Sequence, residues 1–189
     1  MKKGFIVIFV ILFAAGGVLW YGKYQSSKTL PAQGPIVSQM PMKISSSAFE
    51  SNQNIPVKYT CDGDNVNPPL EFKDVPPQAV SLVLIVDDPD APAGTWAHWT
   101  VWNIDPATTS IAENSVPPKA IAGQTSAGQN TYGGPCPPSG AHRYFFKLYA
   151  LDTKLSLSSF SLKADLEKAM ENHILAQAEL VGLYSRGGK

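Results

Sequence analysis

From Met42 onward, short β-rich runs alternate with turn clusters, and this punctuation limits the chain to many short strands joined by turns. Ile55 to Cys61, Ser81 to Asp88, Trp96 to Ile104 and Arg143 to Leu151 read as strands. The separators are Asp62-Gly63-Asp64-Asn65, Asp90-Ala91-Pro92 and a long Gly/Pro segment over 123–141. Strands of this kind must pair into two packed sheets or a barrel, so the expected class is mostly β. The sixteen prolines and fifteen glycines fit that class, since they fall between apolar runs.

One segment carries helical spacing. Leu162, Leu166, Ala169 and Met170 recur on one face, Asp165 and Glu167 sit early, and Ser161 or a neighbour can cap. The helix is expected to end near Asn172. Ile174 to Tyr184 could prolong the helix, but it alternates Ala176, Ala178 and Leu180 with Gln177, Glu179 and Val181, which suits a closing strand equally well, and a short helix followed by a strand is the expected arrangement.

Before this domain, Gly4 to Tyr21 runs for 18 residues without a charge, behind Lys2 and Lys3. As a helix it is roughly 27 Å long, close to a hydrocarbon core. The apolar run continues through Val18, Leu19, Trp20 and Tyr21 past the small residues at 14–17, so residues 1–22 are expected to form an uncleaved transmembrane signal anchor. The alternative is export after signal cleavage. Residues 23–41 read as a flexible linker, and the lysine bias places the domain outside the cytoplasm.

Charge narrows the function. Residues 1–41 hold four lysines and no acid, leaving eleven basic against fifteen acidic residues, a formal −4, in the remainder. Nucleic-acid binding depends on lysine and arginine releasing counterions, so no nucleic-acid partner is expected. An anion would have to be attracted locally.

The candidate chemistry begins with Asp87-Asp88-Pro89-Asp90-Ala91-Pro92, at the end of the apolar run Leu82 to Val86. Acids there can face a pocket, although a single aspartate by itself reads more readily as a turn cap. Strand alternation predicts Trp96, His98, Thr100 and Trp102 on one face, and His142, Tyr144, Phe146 and Leu148 together on the next long strand. Taken alone, His98 reads as a packed structural residue. The segment from Gln129 to Ala141 can bring backbone N–H groups close to a phosphate-like oxygen, but it lacks the Gly-Lys-Ser/Thr ending of a P-loop.

Three segments together are more specific: Asp88-Pro89-Asp90-Ala91-Pro92, Trp96-Ala97-His98-Trp99, and Tyr132-Gly133-Gly134-Pro135-Cys136-Pro137-Pro138-Ser139-Gly140-Ala141-His142-Arg143-Tyr144. In order and spacing they resemble the signature regions of the phosphatidylethanolamine-binding protein (PEBP) family, in its prokaryotic Raf-kinase-inhibitor-like branch. Lys58 to Gly63 and Glu179 to Gly182 are similar to that branch too. The resemblance covers about residues 42–186. It implies a PEBP-like Greek-key β-sandwich with one short C-terminal helix, preceded here by the single transmembrane helix.

The resemblance also implies a small pocket for phosphate-like anions. Its residues would be Asp88, Asp90, His98, His142 and Tyr144, with Pro92, Gly134 and Pro135 shaping the wall. Eukaryotic members edge this cavity with a helical segment after the last strand, which is expected to be missing from a chain ending at Lys189. The expected function is a non-catalytic binding or inhibitor-type module for a phosphorylated small molecule or a phospholipid headgroup, modulating a protein partner, with no cofactor. A nearby Asp would fix the histidine tautomers and favour their protonation.

Two enzyme readings stand as alternatives in the same pocket. One is a metal-dependent hydrolase using the Asp and His groups, and the other pairs Cys136 with His142. Cys61 and Cys136 are the only cysteines, and in an exported domain they are expected to pair.

Overall fold

The structure, a computed structural model, describes residues 41–187. The expected anchor, and the linker up to residue 40, lie outside the described residues. Among the described residues no helix is long and apolar enough to cross a membrane.

The domain is a β-sandwich. Strands β1 (Lys43–Ser45), β3 (Leu70–Lys73) and β6 (Ser110–Ile111) form a three-stranded sheet in the order β1-β3-β6. The larger sheet contains β2 (Gln53–Asn54), β4 (Ser81–Asp88), β5 (Trp96–Ile104), β7 (Ile121–Ala122), β8 (Ala141–Leu151) and β9 (Ile174–Ser185), in the order β2-β9-β8-β4-β5-β7. The chain leaves β5 on one side of β4 and returns as β8 on the other, so the ends of β4, β5 and β8 are brought together.

Strand β4 is buried along its whole length because both of its faces are covered. Leu82, Leu84 and Val86 point inward to meet Ile44, Leu70 and Phe72 of the small sheet and Phe146 and Leu148 of β8. Val83 and Ile85 point outward and are covered by Leu166 and Met170 of α1 (Lys163–Met170), with Leu155 and Trp102. A strand packed on both sides needs a continuous apolar sequence, which explains the unbroken Leu-Val-Leu-Ile-Val run. Burying each such side chain contributes about 1.5–3 kcal/mol, so this strand is a rigid base for whatever its last residues hold.

Helix α1 starts after Leu162, with the Asp165 carboxylate accepting the Leu162 backbone N–H at 3.0 Å. The acid in the first turn therefore closes the helix end, rather than Ser161. The closing strand is present as β9, paired with β8 from Ala141↔Ser185 to Leu151↔Ile174.

Two sequence expectations are corrected. Ile55 to Cys61 is not a strand: β2 ends at Asn54, and Val57–Tyr59 forms a 3-10 turn. Pro56 has no N–H to give a ladder, and its carbonyl accepts Tyr59 N–H at 3.0 Å, which turns the chain. The strict alternation along β5 also fails. Val86 pairs with Trp99 while Asp87 pairs with Ala97, so His98 is an extra residue without a partner on β4. This β-bulge re-aims the His98 ring, which packs edge-on against core-facing Tyr144 at 5.2 Å between centroids.

Candidate functional site

The last residues of β4, the bulge on β5 and the first residues of β8 surround a cavity of about 380 Å³. Asp88, His98, His142, Pro92 and Gly134 all line it. The other expected site residues are not part of its lining. The Asp90 carboxylate accepts the Arg143 backbone N–H at 3.0 Å and its guanidinium at 2.9 and 2.7 Å. Pro135 offers its carbonyl to Cys61 N–H at 3.1 Å. Tyr144 is fully buried, and its hydroxyl approaches Asp88 and the Cys136 main chain without completing a hydrogen bond of good geometry.

Asp88 organises one histidine. Its Oδ1 accepts Asp90 N–H at 2.8 Å and its Oδ2 accepts His142 Nδ1–H at 2.7 Å. With the Asp90–Arg143 clamp this closes a ring in which two consecutive residues of β8 are tied to the acid that ends β4 and the one two residues beyond it. The Arg143 guanidinium holds the Asp90 carboxyl at about 2, well below the usual carboxylate range.

The second histidine is held differently from the sequence expectation. No Asp fixes the His98 tautomer; the Gly133 carbonyl does, 2.7 Å from Nδ1. A carbonyl only accepts, so Nδ1 carries the proton and Nε2 is left as the nitrogen available to the cavity. Burial holds His98 below the ordinary histidine value, with the Gly133 carbonyl and the Asp88 charge opposing it. Burial, and then the Asp88 charge, push the Tyr144 phenol up.

The Gly/Pro loop is fastened to the turn at 59–65. A disulfide joins Cys61 to Cys136, and both cysteines line the cavity. The Cys136 sulfur that a nucleophile–base reading would use is therefore bonded. Tyr132 Oη donates to the Tyr59 carbonyl at 3.0 Å, Gly134 N–H donates to Asn65 Oδ1 at 2.7 Å, and Gly133 N–H donates to the His98 carbonyl at 2.9 Å. Among the described residues no group of three or more His, Cys, Asp or Glu side chains is placed to hold a metal.

Sequence reasoning missed several contributors. Asn65 anchors the loop from a left-handed backbone position, φ 57°, and its place in Asp-Gly-Asp-Asn was the available signal. Trp96 forms part of the cavity wall while remaining half-exposed, and Thr125 and Gln129 add neutral polar groups. Nothing in their local sequence marks those last two.

Comparison with known proteins matches residues 45–185 to the family described as phosphatidylethanolamine-binding protein. A UPF0098 protein of Methanothermobacter thermautotrophicus is 49% identical over 77% of this chain and 100% of its own length. Another, from Pyrococcus horikoshii, is 47% identical over 78% of each chain. Among solved structures, a PEBP homologue from Chlamydia trachomatis has TM-score 0.75 and 45% identity, covering 78% of this chain and 99% of that one. E. coli YbcL, described as a member of the mammalian PEBP family, has TM-score 0.74 and 29% identity, covering 78% and 100%.

Proposed function

Because the chain belongs to the phosphatidylethanolamine-binding protein family, we propose that it is a non-catalytic binding module whose cavity takes a phosphate-like anion. The ligand would be a phosphorylated small molecule or a lipid headgroup, and its occupancy would modulate a protein partner. The observation that carries this reading is the pair His98 and His142. Each commits Nδ1 to an internal acceptor, leaving two Nε2 atoms for one cavity. The Gly133-Gly134 backbone forms part of the wall, but its two N–H groups donate to the His98 carbonyl and to Asn65 Oδ1, so the loop shapes the cavity and the donors for a ligand would come from the imidazoles.

The domain would act at a membrane surface from the extracytoplasmic side, tethered through residues 4–21. A crystal soaked with a phosphomonoester tests the site. An anion bound between His98 and His142 is expected, and an anion found only elsewhere would overturn the assignment.

A further inference from the structure

Among the described residues, the cavity wall contains no lysine or arginine, and its one carboxylate is Asp88. This is a poor lining for a fully ionised dianion, so the distribution of protons between ligand and histidines must decide what fits. The histidines are not equivalent. His142 rests on a carboxylate at 2.7 Å, so when protonated it forms an ion pair inside the wall. His98, only 7% exposed, rests on a neutral carbonyl.

The ionisable neighbours of His98 are Asp87 and Asp88 on β4 and His142 and Tyr144 on β8. Both carboxylates are already engaged, Asp87 by Lys147 at 2.9 Å and Lys163 at 3.4 Å, and Asp88 by His142. With its proton fixed on Nδ1, neutral His98 presents a lone pair at Nε2 and can only accept. An unprotonated ligand oxygen there would set acceptor against acceptor.

We propose that the two histidines have opposite roles: His142, in its doubly protonated form paired with Asp88, donates from Nε2 to an anionic oxygen, while His98 Nε2 accepts the hydrogen of a ligand oxygen that is still protonated. This rests on the anion reading above and narrows it to a ligand class. Phosphomonoesters lose their second proton near pH 6 and can carry it into the cavity at little cost. Sulfate esters and phosphodiesters have no such proton near neutrality, so they are disfavoured. The proton stays on the ligand oxygen and is shared with Nε2, and no covalent bond changes.

The test is calorimetry on the purified full-length chain at pH 7, with phenyl phosphate against phenyl sulfate. A parallel assay compares vesicles carrying phosphatidic acid, a lipid phosphomonoester, with vesicles carrying the diester phosphatidylglycerol. The monoester should bind roughly ten- to a hundredfold more tightly, the scale of one hydrogen bond to a charged group. A preference for phenyl phosphate over phenyl sulfate, for phosphatidic acid over phosphatidylglycerol, or both, supports the proposal and identifies the source. His98→Phe should abolish the preference for phosphate over sulfate, whereas His98→Gln, which keeps an acceptor oxygen, should retain part of it. Equal binding of phosphate and sulfate by the unaltered chain overturns the role of His98 while leaving the anion cavity intact. Binding of neither overturns the anion reading itself.

Discussion

Gly134 has no room for a side chain. A Cβ there would lie 2.6 Å from the Tyr59 carbonyl oxygen and 2.8 Å from both Asn65 Oδ1 and the Thr60 Cα, and two of these are backbone atoms that cannot swing aside. Gly134→Ala should therefore cost about 1–3 kcal/mol of stability, the range for overpacking, as measured by the shift in urea midpoint. His98 makes a prediction with the sign set by its burial. Its folded value lies below the ordinary one, so as pH falls through about 6.5 the unfolded chain takes up the proton first. Stability present above that pH is lost toward the lowered folded value. Between pH 7.5 and 5.5 the native chain should lose more stability in urea than His98→Gln does. At this scale the sequence was informative where a residue type is itself a chemical signal: Asp88, His98, His142, Pro92 and Gly134 do meet at one cavity. Asp90 and Tyr144 are not part of its lining, because a motif places residues in one neighbourhood without saying which side chains are already taken by Arg143 or by the core.

Among the elements, β4 and β8 were legible and β5 was only partly so. A run buried on both faces and an alternating run leave plain patterns, and the described strands keep them. The slip that makes His98 an unpaired residue depends on how β5 registers against β4, a property of two strands together that alternation along one cannot show. The 3-10 turn at Val57–Tyr59 was missed because the β-rich composition hid the loss of a ladder donor at Pro56. The loop over 132–138 depends on its fastening. The Cys61–Cys136 bond spans 75 residues, and replacing both cysteines by serine should cost about 2–4 kcal/mol of stability. It should also weaken phosphomonoester binding by more than the fold's loss explains, because the Gly133 carbonyl that orients His98 lies on this loop. Calorimetry at a temperature where the variant remains folded checks this.

For the whole molecule, the sandwich brings the candidate site residues to one end of a rigid sheet, and under the proposed reading an anion would reach that end against a net-acidic domain. Long-range steering of an anion is therefore unfavourable, and in the proposed reading selectivity would come from short-range hydrogen bonds in the cavity. The charge-free stretch from Gly4 to Tyr21 supplies the proposed location. The full chain should stay with the membrane fraction after an alkaline wash, and a chain lacking residues 1–40 should not. The central claim is an anion site governed by two histidines. Titrating a phosphomonoester into the protein by calorimetry from pH 5.5 to 8.5 tests it most directly. Affinity should fall as the pH rises, because the monoester oxygen loses, over that range, the proton that His98 Nε2 accepts. An affinity that stays flat from pH 5.5 to 8.5 would contradict the account.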